Sequence, residues 1–220
     1  MNFKTNYFIP LAAVLLAAGA CHAETPAAPK PPTAQPAAKP AAAAAPTTAT
    51  NNATAPQWVQ APSGSSLTFT FDQAGAASRG SFRQFATTLA YDEKSPASGN
   101  LKVTVQIGTI DTQDQERNET LVGADLFDAK KFPTAQYSAT SFAKNAAGGL
   151  DAVGKLTLRG VTRDLRLPLK ITPSGAGLTL SGETTIKRLD YGVGQGDWKA
   201  TDGVADEVKI QYKVALVKVK

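Results

Sequence analysis

The strongest constraint on the fold is an alternation of apolar and polar residues that recurs from residue 57 onward. An alternation at period two places apolar side chains on one face of a β-strand and polar ones on the other. It is clearest at Leu67/Phe69/Phe71, Leu101/Val103/Val105/Ile107, Leu165/Leu167/Leu169/Ile171 and Val208/Ile210/Tyr212/Val214/Leu216. Further strands are predicted at residues 82–91, 136–143, 152–158 and 177–186, which gives about eight in total.

The connections between these strands are short and rich in Gly, Pro, Ser and Asn, as at residues 95–100, 145–149 and 173–177. Short connections favour antiparallel neighbours, and an antiparallel sheet of about eight strands closes into a barrel. The sequence therefore predicts an all-β, eight-stranded antiparallel barrel. Its inward residues are mostly Leu, Val, Ile and Phe, a composition that fits a packed core as well as an apolar cavity.

One segment, residues 112–122, has a helical pattern, with Thr112 or Asp114 as N-terminal cap and Gly123 as the stop. It lies between a predicted strand and a Phe-containing segment. We expect it to form a short lid helix over one end of the barrel.

Few residues of the chain can carry enzyme chemistry. The sequence has one His and one Cys, the adjacent residues Cys21 and His22. From Ala23 onward there is neither imidazole nor thiol, which excludes Ser/His/Asp and Cys/His catalytic units and Cys- or His-ligated metals. The net charge is only +5, with interspersed charges and short pairs such as Lys187-Arg188 that we expect on the solvated surface. We predict no enzyme activity, no metal and no nucleic-acid partner.

The N-terminal residues 1–23 have the features of a secretory signal peptide: Lys4, an apolar run too short for a membrane span, and small residues. Two cleavage sites are open. The run Ala18-Gly19-Ala20-Cys21 resembles a bacterial lipobox and would make Cys21 a lipidation site, whereas Cys21-His22-Ala23 fits an ordinary signal peptidase.

Residues 24–56 cannot build a core, because 21 of these 33 residues are Ala or Pro. Proline favours extended polyproline conformations, so the segment is predicted to be a linker between the N-terminus and a folded domain at residues 57–220. A linker suggests an anchor, such as an acylated Cys21; a low-complexity tail without attachment is the alternative.

An ordered set of segments resembles the YceI-like family of bacterial periplasmic proteins. It comprises residues 80–85, 101–108, 110–112, 116–118, 124–133, 154–163, 188–194 and 208–217, together with Leu121 and Trp198. The resemblance implies a lipocalin-like barrel that holds an isoprenoid lipid or prenyl quinone. Residues 190–194 with Trp198 are similar to members associated with electron transport or stress responses. Many members carry a His-Ser pair before the first long strand, but here Gly64-Ser65-Ser66 stands there.

An isoprenoid site needs apolar walls and a polar group where the tail meets water. The candidate wall residues are Phe69, Phe71, Phe82, Phe85, Phe127, Phe132, Tyr137 and Phe142. The glycine-rich loop at residues 190–196 is expected to place Tyr191 and Trp198 over one barrel end. Arg83 and Arg117 are candidates for the head group. The alternatives are that the aromatic residues form ordinary core and that Arg117 pairs with Asp111 or Asp125.

Residues and resemblance together predict an exported, periplasmic, non-catalytic protein that sequesters or shuttles a polyisoprenoid or prenyl quinone and is attached to a membrane through Cys21. The alternative is a filled barrel on a stalk, which would serve as an interaction module for a membrane redox or stress-response partner. A hollow interior would favour the first hypothesis, and a filled one the second.

Overall fold

The computed structural model describes residues 55–95 and 99–219. The strands in these ranges are β1 (Gln57–Gln60), β2 (Ser66–Gln73), β3 (Ala76–Phe82), β4 (Phe85–Ala90), β5 (Asn100–Gln106), β6 (Ile110–Asp111), β7 (Thr134–Lys144), β8 (Leu150–Leu158), β9 (Val161–Ser174), β10 (Gly177–Lys187) and β11 (Val204–Lys218). One α-helix, α1 (Gln115–Val122), and three 3-10 helices (Ile107–Thr109, Arg188–Tyr191, Gly196–Lys199) complete the described elements.

The predicted signal peptide, Cys21 and all but the last two residues of the predicted linker lie outside the described residues. Within the described ranges, no helix is both long enough and apolar enough to cross a membrane.

All neighbouring strands are antiparallel and the sheet closes on itself. The order β1–β4–β5–β7–β8–β9–β10–β11 returns to β1, because the end of β11 pairs with β1. The preceding part of β11 pairs with β2, which continues through β3 to β6. Three positions of the barrel are thus each shared by two short strands, β1 with β2, β3 with β4 and β5 with β6. The predicted eight-stranded antiparallel barrel with one short helix is confirmed.

The predicted alternation points inward as expected. Leu101, Leu167 and Val214 are buried inside the barrel, whereas their sequence neighbours Lys102, Arg166 and Lys213 are exposed. This arrangement follows from the pleat, which turns successive side chains to opposite faces.

Three strands, β1, β3 and the two-residue β6, were not predicted. β1 is a four-residue strand with no long alternation, and β3 has the sequence Ala-Ala-Ser-Arg-Gly-Ser-Phe, which lacks an apolar pattern. β3 forms because it pairs along its whole length with β2. The strand predicted at residues 82–91 is interrupted, since β3 ends at Phe82 and β4 begins at Phe85.

The predicted helix begins slightly later than residue 112. Asp114 is the N-cap, and its carboxylate accepts a hydrogen bond from the Arg117 amide at 3.1 Å. Thr112 instead donates its amide and hydroxyl to Asn118 Oδ1, each at 2.8 Å. Gly123 is the C-cap, as predicted.

Two buried clusters lie at opposite ends of the barrel. One contains Leu89, Leu101 and Leu216, and the other contains Ile107, Leu126 and Val193 beside α1. Leu156, Leu165 and Ile210 pack against both clusters and are only partly buried. The side chains in the middle of the barrel therefore border open space.

Candidate ligand-binding cavity

The barrel encloses a cavity of about 220 Å³. A single water needs about 10–15 Å³, so this volume is far larger than an ordinary packing defect. The polar side chains among its lining residues are Thr68, Gln73, Thr87, Arg117, Thr120, Thr184, Arg188 and the two tyrosines 137 and 212; the rest are aliphatic or aromatic. The interior is hollow, which answers the question that composition left open.

The middle of the cavity is walled by inward residues of opposite strands. Val103, Val105, Leu156, Leu165 and Ile210 line it and remain partly exposed although they point inward. An inward apolar side chain keeps accessible surface only where the interior is not filled, so these residues offer unsatisfied apolar surface to a ligand.

The cavity opens beside α1, at what we call the α1 end. Arg117 and Thr120 line it there, and Thr120 is exposed while the Arg117 side chain is 34% exposed. Trp198, Val204 and Gln73 line the same end. The opposite end, the far end, is bounded by Leu101 and Val214, which are 1% and 3% exposed.

Eight of the predicted ligand residues line this cavity. They are Phe69, Phe71, Phe82, Phe85, Arg117, Phe127, Tyr137 and Trp198. Four of the aromatic rings form a continuous wall, with centroid distances of 6.1 Å for Phe69 to Phe71, 5.4 Å for Phe69 to Phe82 and 6.2 Å for Phe82 to Phe127. Contact of these residues with a ligand stays a prediction.

Arg83 does not line the cavity. It follows β3 and its side chain is 69% exposed, with Nη2 2.6 Å from Asp111 Oδ2 on β6. The Asp111 carboxylate also accepts the Gln113 amide at 2.9 Å. The Gln113 hydrogen bond and then the Arg83 hydrogen bond lower the pKa of Asp111. Arg83 therefore holds β6, the strand that precedes α1, to the end of β3 on the outer surface of the barrel.

Arg117 pairs with neither Asp111 nor Asp125. Its closest carboxylate contact is the N-cap Asp114, with Nη2 3.7 Å from Oδ2. That distance is longer than a charge-assisted hydrogen bond, about 2.7–2.9 Å. The Arg117 guanidinium at the α1 end therefore makes only a weak ion pair with Asp114.

Three predicted aromatic residues also lie outside the lining. Phe142 packs edge-on against Tyr91 with ring centroids 6.2 Å apart, in the filled part of the core. Phe132 lies against Gly160 in the β8–β9 turn, where any Cβ would collide with its ring. Tyr191 is 3% exposed and packs in the cluster beside α1. Phe142 and Tyr191 are thus buried core residues, and Phe132 is half-buried against the turn.

The comparison with protein families agrees with this geometry. The model of the YceI-like domain matches residues 58–216. The chain belongs to the YceI-like family.

Relatives of this YceI-like chain are found by sequence and by structure. Protein YceI of Escherichia coli O157:H7 is 34% identical over 116 residues, covering 49% of this chain and 60% of that protein. The chain thus spans about 60% of the curated relative's length. BcnA of Burkholderia cenocepacia superimposes with a TM-score of 0.66 at 30% identity, covering 69% of this chain and 95% of BcnA.

A more distant structure shares the fold of this YceI-like barrel. It is a polyisoprenoid binding domain from Saccharophagus degradans, described as implicated in plant cell wall breakdown. Its TM-score is 0.58 at 14% identity, covering 74% of this chain and 98% of that domain. At this identity the likeness concerns the fold alone.

The sequence did not predict the role of Arg188 in the YceI-like barrel. The expectation of a solvated Lys187-Arg188 pair is wrong for Arg188, which is 5% exposed and lines the cavity. Its guanidinium donates to five carbonyl oxygens, those of Val193, Trp198, Ala200, Val204 and Ala205, at 2.6–3.1 Å. Burial lowers the pKa of Arg188, but an arginine remains charged. The glycine-rich segment beside it was a possible signal, because its many carbonyls need donors.

Tyr212 was predicted as an inward strand residue, not as a polar lining residue. Its hydroxyl donates to the Pro168 carbonyl, and the Tyr137 hydroxyl donates to the Ala152 carbonyl at 2.8 Å. Burial raises the pKa of both phenols, so both stay neutral. The two rings contribute apolar surface to the cavity while their hydroxyls are held by the strands.

The residues that line the cavity offer apolar burial and hydrogen bonding. Among the residues that the structure describes, no group of three or more His, Cys, Asp or Glu could hold a metal ion. The carboxylates with a shifted pKa, Asp111 and Glu183, both have a lowered pKa and lie at the surface. A raised carboxyl pKa in a cleft would have been the signature of a general acid.

Proposed function

We propose that this YceI-like protein is a non-catalytic carrier that sequesters or shuttles a polyisoprenoid or prenyl quinone in its barrel. The observation that carries the proposal is the elongated apolar cavity through a closed barrel. The Saccharophagus degradans neighbour with the same fold is described as a polyisoprenoid binding domain, which supports the same ligand class here.

The shape of the cavity suits a linear chain. Its lining on β11 runs from Val204 to Val214, which corresponds to about 33 Å of extended strand. Burying each methylene of a ligand contributes about 0.8 kcal/mol on transfer from water, so a prenyl tail along this path would bind mainly by burial. The hollow interior does not favour the alternative of a filled interaction barrel.

The α1 end would meet a charged head group. Arg117 presents its guanidinium there beside Thr120 and Gln73. A guanidinium can donate two parallel hydrogen bonds to a phosphate. A prenyl diphosphate would thus keep its charge at the opening while its tail occupies the cavity.

The proposed place of action is the periplasm. The signal-peptide features of residues 1–23 and the Ala/Pro-rich linker support export, and the lipobox-like Cys21 supports membrane attachment. Metabolic labelling with a palmitate analogue should mark the wild-type protein but not Cys21→Ala. Equal absence of label in both would exclude acylation. A membrane redox partner stays a prediction.

The carrier function is tested by identifying the lipid that stays bound to the protein during purification. Organic extraction of full-length protein purified from its native host, followed by mass spectrometry, should yield a prenyl lipid in wild type. Val103→Trp should strongly reduce retention, because the indole would occupy part of the middle of the cavity. Lys102→Trp is the matched control, since the neighbouring residue on β5 is exposed on the outer face. Equal lipid retention by both variants, or a wild type without prenyl lipid, would contradict the proposal.

A further inference from the structure

Three buried polar atoms near the far end of the cavity have no hydrogen-bond partner in the described part of the chain. They are Trp58 Nε1, Gln60 Oε1 and Thr87 Oγ1. β1 pairs Trp58 with Leu89 and Val59 with Thr88, and continuing this register by one residue places Gln60 opposite Thr87. Opposite residues of antiparallel strands share a face, with Cβ atoms about 4.5–5.5 Å apart. The three atoms therefore form one group, the far-end polar patch.

Of the three patch residues, Thr87 borders the cavity, whereas Trp58 and Gln60 do not line it. Thr87 is 2% exposed. Its surroundings are apolar, with Leu89 and Leu101 buried on the same face. A buried polar atom without a partner destabilises the folded protein, and native structures leave few of them. The Thr87 hydroxyl, which is buried and borders the cavity, is therefore better explained by a ligand group that binds to it.

The chemistry of the patch favours an uncharged hydroxyl. The indole N–H of Trp58 can only donate, Gln60 Oε1 can only accept, and the Thr87 hydroxyl can do either. A ligand hydroxyl both donates and accepts, so it can bond to the Thr87 hydroxyl in either role. An anionic group would lose its hydration there without a buried cation in reach, because Lys218, opposite Trp58, is exposed.

We propose that the far-end polar patch binds a neutral hydroxyl group, so that a prenyl alcohol or prenyl phenol enters the barrel hydroxyl first. The inference rests on the proposed carrier function and specifies its ligand class. The prenyl tail then points toward the α1 end, opposite to the orientation of a charged prenyl diphosphate.

The test compares the affinities of full-length, delipidated protein for farnesol and for the hydrocarbon of the same chain without the hydroxyl. Wild type should bind farnesol about tenfold more tightly, the value of one well-made hydrogen bond. Thr87→Val, which has nearly the same shape, should bring the ratio close to one and leave hydrocarbon affinity unchanged. Thr88→Val is the matched control on the exposed face of β4 and should keep the wild-type ratio.

A second measurement separates recognition from structure. Because Thr87→Val removes an unpartnered buried hydroxyl, it should raise the melting temperature of the ligand-free protein, whereas a structural hydroxyl would give a lower one. If Thr87→Val fails to fold, Thr87→Ala, which also removes the hydroxyl, should weaken farnesol binding selectively. An unchanged farnesol-to-hydrocarbon ratio in the folded variant overturns the inference. If wild type binds both probes with equal affinity, this inference is contradicted and the carrier function is not. If wild type binds neither probe, the carrier function is contradicted as well.

Discussion

The two ends of the cavity are built from different interactions. At the far end, paired strands enclose Leu89, Leu101 and Leu216, none of which is more than 2% exposed. At the α1 end, the helix has no buried residue, and the segments around it are connected by hydrogen bonds. The far end is therefore stabilised by apolar burial, whereas the α1 end combines a buried cluster with the hydrogen bonds of Arg188 and carries a helix without buried residues.

This difference indicates how the barrel can be stable and accessible at once. Segments with few buried apolar contacts open at a low free-energy cost, whereas a buried core opens only with global unfolding. We therefore predict that a ligand enters beside α1 and leaves the strands at the far end in place. The polar contacts at the open end then set how often it opens.

The largest expected effect comes from the far end. Leu89→Ala should lower the free energy of unfolding by about 2–5 kcal/mol, because Leu89 is buried without lining the cavity and its truncation leaves a new void in a filled region. Leu156→Ala should cost less, since Leu156 already borders the cavity and part of its surface is open. Urea unfolding of both variants measures the difference. Equal losses would show that the middle of the barrel is as well packed as the far end.

The next effect concerns the α1 end. Arg188→Met should lower the free energy of unfolding by about 2–3 kcal/mol, because five carbonyls lose a charged donor. Water can reach some of these carbonyls, which limits the loss. Hydrogen exchange should rise in residues 188–204 and remain unchanged at β4 and β5.

Lys187→Met serves as the control for that substitution. Lys187 is exposed and next to Arg188, so its replacement should change the free energy of unfolding by less than about 0.5 kcal/mol. If Arg188→Met behaves like this control, the five hydrogen bonds do not hold the open end together.

The sequence was sufficient for the barrel because long strands carry their own signal. The alternation at Leu101, Val103 and Val105 specifies both a strand and its inward face, whatever the neighbouring strands are. Helix α1 could also be predicted from local sequence, because Asp114 and Gly123 cap its two ends. Aromatic residues on such strands, including Phe69 and Phe71, could therefore be assigned to the interior.

The parts that were missed depend on distant partners. β3 has no apolar pattern and exists because β2 supplies its hydrogen bonds. Arg188 is buried because the loop after it and the start of β11 fold back and direct five carbonyls at its guanidinium, which spacing along the chain does not reveal. The far-end polar patch requires the register between β1 and β4. Phe85 and Phe142 are both phenylalanines on predicted strands, so the sequence does not distinguish them. In the structure Phe142 packs against Tyr91 in the filled core, whereas Phe85 lines the cavity.

The smallest expected effect is a pH dependence at the α1 end. The pKa of Asp111 is lowered in the folded protein by the Gln113 amide and by Arg83. A lowered folded pKa contributes stability that is complete above the unfolded value, about 3.9, and is lost as the pH falls through the folded value. Asp111→Asn should therefore be less stable than wild type at pH 6, and the difference should shrink below about pH 4. Thermal unfolding from pH 6 to pH 2.5 measures it. A difference that is constant across this range would show that Asp111 acts through its shape and not through its charge.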